Sequence, residues 1–396
     1  MAEMKPIGID QTTGQQRVVE SGDNLEVGDT IQIAVTRSGD YSGSSQNNVQ
    51  VLFPWDTPAK LDNPASLPAS AALGAAWSPN NEFLAIGHND APRITLYQRT
   101  GTSLNKLSDP ASLPPNNATG VAWSPNGEFL SVSHFTTPFI SNYQRSGSEF
   151  TLLASPTTVP SNIARSVAWS PNGELLAVPH DASPFLAIYQ RDDTTFSRID
   201  GPAVPPPAAG NDAAWEPSGR FLAIAHATSP FGTIYQRDGL TFTKLSDPAS
   251  LPTGTGRGVA WSPNGEYLGV LHVTSPYLTI YQRSGTTFTK VPDPATLPVN
   301  SGGFGKLKWS PSGEFLGVAH SDSPFISIYQ QDGTTFTKQA DPATLPPDLG
   351  INLSWSTNSE FLTVAHNSSP RITVYQTAGT MPSSGVVTIM GYPLDV

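Results

Sequence analysis

Tryptophan recurs along this chain at a near-constant interval. Seven of the eight tryptophans stand at 77, 123, 169, 215, 261, 309 and 355, with every spacing 46 residues except one of 48. A fixed period of that length means one supersecondary unit used repeatedly, because no single unit can bury its apolar face alone. The unit is clearest from Val259 to Pro298, VAWSPNGEYLGVLHVTSPYLTIYQRSGTTFTKVPDPATLP. It reads as four short apolar-rich runs separated by turn signals. The first ends in Trp, and SPNGE leads into EYLGVLH. The third, YLTIYQ, begins just after a Ser-Pro pair. TFTKV is the fourth, and PxxLP returns the chain to the next unit. Asn-Gly and Ser-Gly between apolar runs are hairpin signals, and proline at a strand start costs no ladder bond.

Four antiparallel strands in about 46 residues, seven times over, is the pattern of β-propeller blades. The expected fold class is all-β, a seven-bladed β-propeller. Its second strands alternate accordingly. Leu130, Val132 and His134 share one face in the second repeat, and Ser131 and Ser133 the other. The small-side positions hold Ala85 and Gly87, Ala223 and Ala225, and Gly317 and Ala319 elsewhere, so a bulky face opposes a small one. Such sheets pack face to face around an axis. A long solenoid is the alternative, but repeats this equal and without polar caps favour a ring. The seventh repeat lacks a fourth strand after Gln376, while AKLDNPASLP at 59–68 carries that strand and return loop ahead of the first Trp. The N-terminal segment is therefore expected to supply the outer strand of the last blade, removing two open edges.

The expected organisation is a β-rich N-terminal extension at 1–55, the propeller at 56–379 and a C-terminal tail at 380–396. Alternating runs at 31–35, 49–53 and 385–394 suggest added strands or a small β-rich terminal extension built from both chain ends. An arm that orders only against a partner is the alternative.

Composition narrows function. With 21 Lys+Arg against 32 Asp+Glu, a net charge of −11 argues against neutralising nucleic-acid phosphates or an anionic membrane surface. The absence of Cys removes disulfides, thiolate nucleophiles and Cys-ligated zinc. No apolar run reaches signal-peptide or membrane-span length, so no membrane insertion and no ordinary secretory export are expected.

The residues that could carry chemistry recur with the repeat. His88, His134, His180, His226, His272, His320 and His366 each follow a repeat Trp by eleven residues. A ring of imidazoles could bind metal or sense pH, but seven-fold recurrence marks a blade-building residue bonding a neighbouring carbonyl or hydroxyl. Trp77, Trp123, Trp169, Trp215, Trp261, Trp309 and Trp355, with the recurring tyrosines, read as packing residues. Glu82, Glu128, Glu174, Glu266, Glu314 and Glu360 recur opposite Arg99, Arg145, Arg191, Arg237 and Arg283, which predicts Glu–Arg pairs between hairpin turns. No nucleophile elbow, phosphate-cradling loop, HExxH or EF-hand pattern occurs, and no distinctive carboxylate pair stands out. No catalytic residue, metal or cofactor is expected.

Departures from the repeat are more informative. Two extra residues before Trp309 give VNSGGFGKLKW, with Phe304 between glycines. Arg93 and Arg371 replace the aromatic at the start of the third strand in the first and last repeats. Fourth-to-first connections differ from repeat to repeat, as do second-to-third turns, and the two sets share one face of a propeller. Phe304, Arg165, Arg257, Arg93 and Arg371 are the candidate binding residues there, with drift at tolerant loops as the alternative.

The motif VAWSPNGEFLAVAH…SPFITIYQR, covering roughly 56–379, resembles the WD-repeat-like β-propeller superfamily, with Tyr-Gln where many such repeats end in Trp-Asp. Its wording also resembles repeats of bacteriophage virion and tail-associated proteins. GIDQTTGQQRVVESGDNLEVGDTIQIAV resembles N-terminal attachment segments of phage tail-fibre-like proteins. These resemblances imply a non-enzymatic virion structural protein, tail- or capsid-associated, attached to other virion proteins through 1–55. They also imply recognition of a host-surface glycan or protein, and a homo-oligomer, although no heptad or collagen-like repeat specifies one. An intracellular protein-interaction scaffold is the second expectation. A propeller hydrolase or lyase is the third.

Overall fold

The computed structural model describes residues 57–300 and 305–377, together with the backbone of Ile7–Ile9 and Gln16–Val18. By contact the chain divides into two units, Thr57–Thr377 and a second combining Met1–Asp56 with Ala378–Val396. In the second unit, Ile7–Ile9 pairs antiparallel with Gln16–Val18. The runs at 31–35, 49–53 and 385–394 lie outside the described residues, as does Phe304.

Thr57–Thr377 is a seven-bladed β-propeller of four-stranded antiparallel sheets. Blade one runs outward as Ala72–Trp77, Phe83–His88, Ile94–Thr100 and Ser103–Lys106. Blade seven takes three strands from the chain's end, Gly350–Trp355, Phe361–His366 and Ile372–Gln376. Its fourth is Ala59–Lys60, with Ala59 opposite Gln376 and Lys60 opposite Tyr375. The Leu61 amide extends this edge, donating to the Val374 carbonyl at 2.8 Å.

The second strand of each blade is buried on both faces because each sheet lies between two others. Phe83 and Ala85 of blade one enter the cluster of Trp123, Leu130, Val132 and Tyr143 from blade two. Blade seven contributes Phe361 and Ala365 to the cluster of Trp77, Leu84, Ile86 and Tyr97 in blade one, and this closes the ring. The small face of each sheet thus receives the bulky face of the next, at spacings that aliphatic and aromatic side chains fill.

Recurring polar contacts join the blades. Trp123 donates its indole N–H to the Ala76 carbonyl of blade one at 3.1 Å, and Trp215 and Trp261 repeat the bond. The buried Tyr97 ring sends its hydroxyl to the Ser66 carbonyl at 2.8 Å, pinning the PxxLP return segment. Tyr143, Tyr189, Tyr235, Tyr281 and Tyr375 do the same 31 residues back. No helix long and apolar enough to cross a membrane occurs among the described residues.

Candidate functional site

The two faces of the ring are built differently. On one, the SPNGE turn satisfies itself. Ser124 donates to Asn126 Oδ1 at 2.6 Å and accepts from the Phe129 amide at 2.9 Å, while Asn126 Nδ2 donates to Glu128 at 2.6 Å. Gly127 takes the left-handed φ of 70° that this turn requires. The Arg145 Nε donates to the Gly127 carbonyl at 2.8 Å, and the guanidinium lies 4.9 Å from the centre of the Phe83 ring of the preceding blade. Arg99, Arg191 and Arg283 sit likewise over Phe361, Phe129 and Phe221.

This arrangement corrects the expectation of recurring Glu–Arg pairs. Among the described residues only two such contacts form, Arg237–Glu174 at 3.3 Å and Arg283–Glu216 at 3.7 Å. Turn carbonyls and an aromatic face meet the arginine first, and Asn holds the glutamate within its own turn. Both groups leave the pairing before they reach each other.

The histidines are fully buried, and six of them are bonded to a hydroxyl seven residues later on the third strand. His88 meets Thr95 at 2.9 Å, His134 meets Ser141 at 3.1 Å, and His226 meets Thr233 at 2.8 Å. His272, His320 and His366 meet Thr279, Ser327 and Thr373, each at 3.0 Å. In blade three the partner position is Ala187, and both ring nitrogens of His180 lack a partner. Burial pushes all seven imidazoles down to about 4, so they are neutral at pH 7. Among the described residues no three His, Asp or Glu side chains come together as a metal site.

The opposite face carries the fourth-to-first connections and the second-to-third turns, and direct bonds place them side by side. The Asp90 amide donates to Ser70 Oγ at 2.7 Å, and Ser368 Oγ donates to Asp348 at 2.7 Å. Each second-to-third turn holds a cis X–Pro bond followed by a residue in the left-handed region. That residue is Phe139, Phe185, Phe231, Tyr277 or Phe325 in five blades, and Arg93 (φ 72°) or Arg371 (φ 74°) in the two that meet at closure. Arg93 and Arg371 keep the same backbone and turn their guanidinium groups onto the Asn89 and Asn367 carbonyls of their own turns.

Arg165 and Arg257 stand four residues before Trp169 and Trp261, where the chain enters the inner strand. Arg257 occupies a β-bulge, since Gly256 pairs with His272 and Gly258 with Leu271, leaving it between registers. A bulge re-aims the extra side chain. Arg165 forks onto Asp181 through two bonds, Nε to Oδ1 at 2.7 Å and NH2 to Oδ2. Its guanidinium also lies 5.9 Å from the Phe135 ring centre. The Arg257 Nε is sealed from solvent and has no acceptor among the described residues.

Beside them is a bridge that the repeat pattern does not reveal. Lys306 of blade six passes blade five to reach blade four. Its ammonium donates to the Asn211 carbonyl at 2.8 Å and the Arg257 carbonyl at 2.9 Å, with Asp212 at 3.4 Å. Asp212 also accepts from Ser166 at 2.8 Å and from the Val259 amide at 3.2 Å. Burial pulls the Lys306 ammonium below its usual value, and Asp212 opposes that shift. The only signal in the sequence is that three residues before Trp, where other blades have Gly, Ser or Asn, blades four and six have Asp and Lys.

No protein-family model matches the chain, and no curated protein does. Its fold is found in solved structures. A chain of Kuenenia stuttgartiensis hydrazine synthase aligns with a TM-score of 0.62 at 16% identity, over 80% of this chain and 97% of its own. A chain of the mitotic checkpoint complex aligns at 0.60 and 18%, over 86% and 98%. A 6-phosphogluconolactonase candidate from Bacteroides uniformis aligns at 0.62 and 18%, over 74% and 91%. At these identities the likeness is one of fold: the chain is a seven-bladed β-propeller whose neighbours serve unlike ends.

Proposed function

We propose that this protein is a non-enzymatic recognition ring of a bacteriophage virion, held to other virion proteins by residues 1–55 and meeting a host-surface glycan or protein with its varied loop face. The observation that carries the recognition role is the inequality of the two faces. The SPNGE-type turns spend their polar groups on their own bonds or on the turns and arginines of neighbouring blades, while the opposite face changes side chains from blade to blade. Binding surfaces on rigid scaffolds are built from such loops. Buried neutral histidines, six of them bonded to hydroxyls, favour a binding role over a hydrolytic one, because a general base must reach its substrate. The virion assignment draws on the wording of the repeats and of residues 8–35. Co-sedimentation of the protein with purified particles tests it, together with loading of a reporter fused to residues 1–55. A reporter that stays off the particles, or a protein absent from them, removes it.

An intracellular interaction scaffold is the second reading, favoured by the fold shared with a chain of the mitotic checkpoint complex. It gains ground if the protein stays in the lysate with a cellular partner while the particles are free of it.

A further inference from the structure

The repeat contains its own control for what an arginine at the start of the inner strand binds. In blade three, Arg165 takes a carboxylate in a two-pronged grip, and Asp181 supplies it from the residue after His180. Blade five has the same arginine, Arg257, four residues before its Trp. The turn beside it follows the same path. The Asp181 amide donates to the Ile163 carbonyl at 3.1 Å, and the Val273 amide donates to the matching Thr255 carbonyl at 3.2 Å. Where blade three places Asp181, blade five places Val273. The arginine remains and its carboxylate is missing.

The surroundings of Arg257 add to this. Arg165, Lys306 and Lys308 are the other cations in the cluster, and two of these have their own anions, Asp181 for Arg165 and Asp212 for Lys306. Burial and the charge of Arg165 both work against the Arg257 cation. Its carbonyl, held by Lys306, fixes the bulge from which the side chain projects. A buried Nε–H without an acceptor is costly, and the planar fork of a guanidinium is satisfied best by a planar oxyanion.

We infer that Arg257 is a binding site for an external carboxylate, which occupies beside Val273 the place Asp181 fills in blade three. The carboxylate can come from a small organic acid or from an Asp, Glu or C-terminus of a partner. The site lies on the loop face used by the proposed function, but its test needs neither particles nor host cells, so the two can fail separately.

The probes are sodium acetate and succinate added to the full-length protein at constant ionic strength, with binding followed by calorimetry and by the side-chain Nε–H resonances of 15N-arginine-labelled protein. Wild type binds saturably, with a dissociation constant of order 1 mM for a single two-pronged pair, and one arginine Nε–H resonance shifts. Arg257→Gln weakens binding at least tenfold and removes that resonance. Val273→Asp supplies the missing carboxylate internally, so it also abolishes external binding while raising the melting temperature. Asn89→Asp adds the same charge to the corresponding turn of blade one and leaves binding unchanged. If Arg257→Gln does not fold, Val273→Asp and the wild-type titration decide alone. Absence of saturable carboxylate binding by wild type overturns the inference. So does full binding by Val273→Asp, or equal loss in Asn89→Asp.

Discussion

Acidification from pH 7 to pH 5 is expected to unfold the ring through its histidines, before most carboxylates titrate. Each imidazole is held at about 4 in the fold against 6.5 for the free side chain, and burial is the largest cause in all seven. Charged neighbours come mainly as opposed pairs, Arg198 with Asp181 at His180 and Lys244 with Asp247 at His226, so burial dominates. At 1.36 kcal/mol per pH unit the full depression corresponds to roughly 3 kcal/mol per histidine, and the part already lost at pH 5 to roughly 2 kcal/mol each, or of order 14 kcal/mol for seven. Net stabilities of folded domains are about 5–15 kcal/mol. Below 6.5 the unfolded chain binds protons that the folded chain refuses. Stability is therefore whole above 6.5, falls as pH drops toward 4, and stops falling on this account below 4. At pH 5 unfolding should take up about six protons from the histidines. Calorimetric melting across pH 7 to 5, in buffers of different ionisation enthalpy, measures both the fall in Tm and the uptake. His226→Gln should reduce the uptake by about one. A melting temperature that is flat over this range, or an uptake below about two protons, refutes the argument.

Three further outcomes are expected. Ala187→Ser gives His180 the hydroxyl found in the other six blades, and should raise stability by about 1 kcal/mol in denaturant unfolding. Lys306→Met leaves Asp212 without its cation and should cost about 3–5 kcal/mol; Lys306→Met with Asp212→Asn should cost less than the sum of the single variants, as a double-mutant cycle will read. Deleting residues 1–68 removes Ala59–Lys60 from blade seven and should lower Tm by roughly 5 °C or more or cause aggregation, whereas deleting 1–50 should leave the propeller's melting transition in place.

The blades were legible in the sequence because their determinants are local. Trp spacing, SPNGE turns and period-two alternation each act within a few residues, and the displaced AKLDNPASLP segment pointed to Ala59–Lys60 beside Ile372–Gln376. Side-chain bonds between blades were not legible, because they depend on how neighbouring sheets are staggered. Arg145 and Glu128 look like partners along the chain, yet Phe83 of the preceding sheet and the Gly127 carbonyl receive the arginine first. The histidines were recognisable as scaffold, but their hydroxyl partners became visible only with the His134–Ser141 register. Arg165 and Arg257 were candidates by position alone. That one is satisfied and the other is not follows from Asp181 against Val273, a difference with no meaning until the bulge brings the two segments together.

The pairing of Ala59 with Gln376 also bears on how the chain is made. Synthesis delivers Trp77, Leu84, Ile86 and Tyr97 early, as the bulky face of blade one. Their covering residues, Phe361 and Ala365, leave the ribosome only after the whole of blades two to six. Blades two to six can dock in turn as they emerge, each small face receiving the next bulky one, so a partly made chain grows as an open arc. Throughout that growth the leading face of blade one stays uncovered and is the surface on which two nascent chains would stick to each other. The joining of first and last blades, the most distant pairing among the described residues, comes only after all seven blades have been made. The yield of this protein should therefore depend less on the stability of any blade than on how long that first face waits.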